Sequence, residues 1–263
     1  MLINAERRAV FDFTGSVVLV TGGGTGIGLS VARAFLSSGA TVAVSGRRAE
    51  PLEEAVADIE PERTLALPCD VGDRDAVNYL VESVVKRFGR LDIVVSNAAI
   101  FVSSQLTDLD QDTWEQMRRA NVDGFYYLAQ ATLPLLERSG GSLVAVSSVS
   151  GERGDWSQAG YNATKAAVSN FVRSLALDYG PRGVRINAVA PAFTVTDMTR
   201  AVADDPAARK VFENRVALGQ LAGPDDIAGS VLFLASDAAA YVTGVVLPVD
   251  GGTSASTGQG HVA

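Results

Sequence analysis

The sequence predicts one α/β domain: a doubly wound parallel sheet of about seven strands with helices on both faces. Three observations carry that expectation. Short β-branched runs alternate with longer stretches whose apolar residues recur at about 3.6. The runs are nearly continuous Val, Leu and Ile, the pattern of strands buried on both faces. No linker, repeat or shift in composition divides the 263 residues, so 1–263 reads as a single unit.

Strands are expected at 17–20, 41–44, 64–67, 92–95, 142–147, 184–188 and 245–249, with six helical segments between them. Leu29, Val31, Ala32, Phe35 and Leu36 show the helical spacing, as do Val77, Leu80, Val81, Val84, Val85 and Phe88. Crossovers between parallel strands are right-handed, which leaves the doubly wound topology. The stretches 113–137 and 161–179 are apolar around much of their circumference, which points to a homo-oligomer. Residues 191–216 are too many for a simple connection and follow a strand's carboxyl end, so they read as a substrate lid. The Gly/Ser/Thr-rich 254–263 reads as a flexible tail.

Composition excludes several classes of function. Lys+Arg 22 against Asp+Glu 30 gives a net charge of −8, which repels nucleic acid and anionic membrane surfaces. One cysteine, Cys69, and one histidine, His261, leave no disulfide framework, no Cys/His metal site and no Ser-His or Cys-His nucleophile. The N-terminus lacks the apolar run of a signal peptide, and no stretch approaches the ~18 apolar residues of a membrane span. A cytoplasmic protein is expected, whose chemistry uses Tyr, Lys, Ser, Asn or carboxylates.

Two motifs point to that chemistry. Thr21-Gly22-Gly23-Gly24-Thr25-Gly26-Ile27-Gly28 joins the first strand to a helix, where glycines let backbone N–H groups reach a pyrophosphate. The spacing is GxxxGxG, not GxGxxG, and a tight strand-to-helix turn is the alternative reading. Tyr161 and Lys165, spaced i, i+4, share one face of a helix. An ammonium there favours phenolate, and lowering a tyrosine pKa by 2–3 units takes roughly 3–4 kcal/mol. With six tyrosines and three lysines in the chain, about 0.07 such pairs are expected by chance.

With Ser148 thirteen positions before Tyr161, these motifs resemble the short-chain dehydrogenase/reductase family in its ~250-residue form, a Rossmann-type fold. Cys69-Asp70-Val71, Ser96-Asn97-Ala98-Ala99, Asn121, Asn187-Ala188-Val189-Ala190-Pro191 and Val249-Asp250-Gly251-Gly252 extend the resemblance over most of the chain. The resemblance implies Tyr161 as general acid/base, Ser148 as the donor orienting the reacting oxygen, and Lys165 on the nicotinamide ribose. It implies that Asn121 holds a water linking the lysine to solvent, and that the homo-oligomer is a tetramer. It also implies cofactor contacts from Gly22, Gly24, Thr25, Gly26, Ile27, Gly28, Asp70, Val71, Asn97, Ala98, Ala99, Pro191, Thr194 and Thr196. Hydride transfer builds charge on oxygen, so a tuned proton donor and a second hydrogen-bond donor are the chemical minimum. Two positions depart from the family pattern: Ala99 and Ala192 stand where glycine is usual.

A site preferring NAD ends the second strand on an acid that accepts the ribose 2′-OH. Here Val44-Ser45-Gly46-Arg47-Arg48 offers none; Ser45 can donate and Arg47 and Arg48 can pair a 2′-phosphate, so NADP(H) is preferred and NAD(H) possible. Alternatively, the arginines are a solvated helix start, and Thr25 supplies no second basic group. Ile100-Phe101-Val102, the stretch 150–156 and Phe193 suggest mostly apolar walls for a small carbonyl or alcohol, with Glu152, Arg153 and Asp155 facing site or solvent. NAD-dependent alcohol or polyol oxidation, a 3-oxoacyl-type reductase docking on Arg118 and Arg119, and a catalytically idle nucleotide-binding scaffold are the competing readings.

Overall fold

The computed structural model describes residues 11–257. Its seven-stranded parallel sheet runs β3-β2-β1-β4-β5-β6-β7. The strands are β1 (Val17–Thr21), β2 (Thr41–Gly46), β3 (Thr64–Pro68), β4 (Ile93–Ser96), β5 (Ser142–Val146), β6 (Arg185–Pro191) and β7 (Val246–Val249). Each expected strand is present, with ends moved by one to three residues. Asp92 lies just before β4 because its carboxylate is committed elsewhere. Oδ2 accepts from the Val17 amide at 2.8 Å and Arg90 pairs with it, tying the starts of β1 and β4 together.

Alternate β1 residues feed two cores. Val17 and Leu19 face α3 (Arg74–Phe88), α5 (Gly124–Ser139) and α6 (Ala159–Tyr179). Val18 and Val20 face α1 (Gly26–Ser37), α9 (Pro224–Ala235) and Phe13. Local signals set the helix ends. Asp73 caps α3 by accepting from Asp75 and Ala76, and Gly89, at φ 79°, terminates it.

The expected helix at 113–137 is interrupted. It divides into α4 (Gln111–Arg118), a π-helical turn (Arg119–Asp123) that carries Asn121, and α5. The π turn inserts an extra residue per turn and rotates Asn121 out of the helical ridge, a frequent arrangement at functional sites. The segment after β6 contains two short helices, α7 (Arg200–Ala203) and α8 (Pro206–Glu213), where the sequence reading had only a lid. The described part of the expected tail is ordered: Ser254 donates its amide to Asp250 at 2.7 Å. Residues 258–263, with His261, lie outside the described residues.

The strand order reverses between β1 and β4, so the loops after these strands diverge and open a crevice at the carboxyl edge. The β1–α1 turn closes one wall. Gly22 has φ 67°, and a Cβ on Gly28 would lie 2.1 Å from the Gly22 carbonyl oxygen. Gly28→Ala must therefore push backbone apart; a cost of about 1–3 kcal/mol is expected, lowering the thermal midpoint by about 2–4 °C per kcal/mol. Calorimetry on the purified variant checks it.

Candidate active site

The crevice is a cleft of about 1500 Å³ at the ends of β1, β2, β4, β5 and β6. The half beside the glycine loop is lined by Gly22, Gly24, Thr25, Gly26 and Ile27, by Arg47 and Arg48, by Asp70 and Val71, and by Asn97, Ala98 and Ala99. Pro191, Thr194 and Thr196 close it from β6. Gly28 and Ser45 are corrections to the sequence reading. Gly28 is committed to packing against Gly22 and Asn97 beneath the loop. Ser45 is fully buried inside β2 with no partner for its hydroxyl, because alternation in the strand turns it into the sheet's packing layer.

The Asn97 amide donates to the carbonyls of Thr21 and Gly22, and Thr21 Oγ1 accepts from the Asn97 and Ala98 amides. The loops after β1 and β4 are thus laced together, and sequence reasoning missed Thr21's part in this. Asp70 turns its carboxylate onto the Gly72 amide at 3.0 Å. Thr196 lies against Gly26, where a Cβ would be 3.2 Å from Thr196 Cγ2.

At the other end Ser148, Tyr161 and Lys165 meet. Ser148 follows β5, and its Oγ accepts from the Ser150 amide at 3.1 Å. Lys165, only 4% exposed, donates from Nζ to the Val146 carbonyl at 2.8 Å and lies 5.8 Å from the Tyr161 ring centre. Phe101 packs edge-on against Tyr161, centroids 5.0 Å apart. Asn121 is absent from the cleft wall. Its Oδ1 accepts from the Ile100 amide, and its Nδ2 donates to the Ile100 carbonyl and Thr164 Oγ1, so both of its amide hydrogens are committed to protein.

The electrostatics differ from the simple expectation. Burial pushes the Tyr161 phenol up to about 12; the Ser148 hydrogen bond opposes this and the Asp155 charge adds to it. Burial also lowers Lys165 to about 8. The ammonium is held by Val146 and does not draw the phenol down, so the first proton to leave the pair leaves near 8.

The substrate end is more mixed than expected. Ile100, Phe101 and Phe193 line it, while Val102 does not. Phe193 stacks on Phe212 of α8 at 4.4 Å, and Met198, Val202 and Val211 join them from the segment after β6. Arg153, Asp155 and Trp156 reach the cleft, whereas Glu152 turns away to pair with Arg173. Thr253 also lines it, with Ser254, Ser256 and Thr257 from the stretch expected to be a flexible tail.

A family model described as Enoyl-(Acyl carrier protein) reductase matches residues 22–254. The chain belongs to the short-chain dehydrogenase/reductase family. It is 38% identical to the meso-2,3-butanediol dehydrogenase of Serratia marcescens, covering 94% of this chain and 98% of that one. It is 36% identical to the 3-oxoacyl-[acyl-carrier-protein] reductase FabG of Thermotoga maritima, covering 90% and 97%. Among solved structures, the short-chain dehydrogenase/reductase of glucose/ribitol dehydrogenase type from Brucella melitensis superposes with a TM-score of 0.89 at 30% identity, covering 93% and 99%. The chain is accordingly an NAD(P)-dependent oxidoreductase acting on CH–OH groups, and the idle-scaffold reading is set aside. No helix among the described residues is long and apolar enough to cross a membrane.

The cleft fits a nicotinamide dinucleotide. Thr25 makes no side-chain cap and the first turn of α1 holds no acid, so that helix start keeps free N–H groups and positive potential at the glycine loop. In the free protein, tyrosinate absorbance assigned by difference against Tyr161→Phe should appear only toward about pH 12. Carbon NMR of labelled lysine should place Lys165 near 8. A phenol titrating near neutrality without ligands would contradict both assignments.

Proposed function

We propose that this protein is an NADP(H)-preferring oxidoreductase interconverting a small carbonyl compound and its alcohol at Ser148, Tyr161 and Lys165. The observation that carries the reading is the convergence of these three side chains at one end of the cleft, with Arg47 and Arg48 at the other. Both arginines are exposed, line the cleft and make no ion pair among the described residues, and no acid stands at the end of β2. Planar guanidinium groups suit a 2′-phosphate, which an acid at that place would repel.

When bound, the nicotinamide supplies or accepts the hydride. Ser148 donates to the substrate oxygen and fixes its place. Tyr161 gives its proton to that oxygen in reduction and takes it back in oxidation. Lys165 holds the nicotinamide ribose, and with its low pKa it exchanges the proton that Tyr161 loses. Asn121 shapes this path by holding the loop after β4 to α6. The stretch 191–216, with its phenylalanine stack, serves as the substrate lid.

A second reading, NAD-dependent alcohol or polyol oxidation, draws support from the loss of Ser45 from the cofactor site. The L-rhamnose 1-dehydrogenase (NAD(P)(+)) of Sphingomonas sp., 40% identical, carries both cofactors in its name. A 3-oxoacyl substrate on a carrier protein fits less well, since Arg118 is neutralised by Asp123 and only Arg119 reaches the cleft. Exposed Leu177 on α6 and Tyr126 on α5 support a homo-oligomer that covers these helices.

Tyr161→Phe should lower kcat about 10²–10⁴-fold with cofactor affinity nearly unchanged; retained turnover overturns the tyrosine assignment. Alcohol oxidation needs a site ready to take a proton, so its kcat/KM should rise with pH to a plateau with a midpoint near 8, while carbonyl reduction falls over the same range. Lys165→Met should move the oxidative midpoint upward. For the cofactor, NADPH should bind at least ten-fold tighter than NADH, about 1.4 kcal/mol, and Arg47→Ala should erase that gap in a fluorescence titration. Equal binding in the wild type favours the NAD reading.

A further inference from the structure

The segment after β5 carries a second recognition element beside the reacting groups. Ser148 Oγ accepts from the Ser150 amide at 3.1 Å, and Ser150 Oγ donates to Asp155 Oδ2 at 2.5 Å. Ser150 is 7% exposed, so its hydroxyl has little alternative to Asp155 and the carboxylate is held in one place. Ser148, Ser150, Asp155 and Tyr161 all line the same cleft. The carboxylate's other oxygen, Oδ1, takes no hydrogen bond from the described protein, and no arginine or lysine pairs with Asp155 there. Its charge reaches Tyr161, where it holds the phenol's proton on. A carboxylate that is oriented, solvent-accessible and unpaired beside the reacting oxygen is an acceptor without a donor.

We propose that Asp155, oriented by Ser150, is a specificity-determining residue that accepts a hydrogen bond from a second hydroxyl on the carbon next to the reacting one. The substrate class is then vicinal diols and the matching α-hydroxy ketones. The proposal rests on the assignment of Ser148 and Tyr161 to the reacting oxygen. Two links of hydrogen bonding separate Ser148 from the carboxylate, which suits a neighbouring hydroxyl better than a distant one. A hydroxyl loses little by leaving water for a charged acceptor, whereas a hydrocarbon in its place strips the carboxylate of solvent and returns nothing. That asymmetry makes a polar site reject the deoxy analogue strongly. Trp156, next in the chain and 93% exposed, adds apolar surface to the same cleft.

The test compares butane-2,3-diol, each stereoisomer, with butan-2-ol, under saturating NADP+, in the wild type, Asp155→Asn and Asp155→Ala. At least one diol isomer should exceed butan-2-ol ten-fold or more in kcat/KM. Asp155→Ala should cut the diol value at least ten-fold more than the butan-2-ol value, which changes only through the lost charge near Tyr161, while Asp155→Asn, which still offers an acceptor, falls between. Equal losses on both substrates overturn the proposal and leave Asp155 acting only through Tyr161. Turnover with no diol preference in the wild type overturns it while the reaction assignment stands. Preference for 3-aminobutan-2-ol over the diol overturns it in favour of a cation subsite. No turnover of any alcohol or of butan-2-one, by protein that binds NADPH, overturns both the proposal and the function beneath it.

Discussion

The close approach of two backbones at the carboxyl edge of the sheet is the constraint on which the rest depends. Gly28 sits against the Gly22 carbonyl so tightly that no side chain fits between them, and the Asn97 amide bridges Thr21 and Gly22 from the next strand. This lacing pulls α1 down onto β1 and aims its uncapped start into the crevice. It also explains why a glycine there is structural even where it touches no ligand. A methyl at the turn would move the helix start, and with it the wall opposite Tyr161.

The chemistry is assembled on the opposite wall at a cost in folding stability. Lowering Lys165 from 10.5 to about 8 corresponds to about 3 kcal/mol favouring its neutral form. Between about pH 8 and 10.5 the unfolded chain binds the extra proton, so this group's penalty eases as pH rises through that window and is full below it. The Val146 carbonyl, itself at the end of β5, offsets part of the cost by accepting from Nζ. Tyr161 is shifted in the opposite sense. Moving the phenol's proton onto the lysine therefore spans about four pKa units, about 5 kcal/mol, which a bound cation or dipole has to supply.

How much of this was legible depends on whether a feature repeats. The seven strands and the Tyr161, Lys165 and Ser148 constellation were readable because β-branched runs and an i, i+4 spacing are patterns along the chain. The π turn was not, since one extra residue in a helix leaves no periodic trace; only Asn121, an amide among apolar neighbours, hinted at it. Ser45 was misplaced because β2 runs two residues past its expected end, to Gly46, so that Ser45 lies inside the strand and packs within the sheet layers rather than at the open end. The lacing of Thr21 to Asn97 and the cleft contacts of Thr253 and Ser254 arise from elements far apart in sequence, and no local signal marks them, whereas Asp155 was legible as a rim residue but not the side it faces. The described start of the tail is ordered because Asp250 accepts the amides of Gly252 and Ser254, a turn that composition alone does not reveal.

The division of labour along the strand ends follows from these contacts. β1 and β4 hold rigid backbone against the cofactor half, where small residues leave little room for change. β5 and β6 lead into longer segments that meet only at the cleft, Asp155 and Trp156 from one and Phe193 with Phe212 from the other. The cofactor half lies where the backbone is fixed, and substrate choice where loops can vary without disturbing it. The Ser148–Ser150–Asp155 chain crosses that boundary, since one short turn orients both the reacting oxygen and the acceptor beside it. A substitution at Ser150 therefore touches selectivity and rate together, whereas one in the phenylalanine stack alters only what the walls admit.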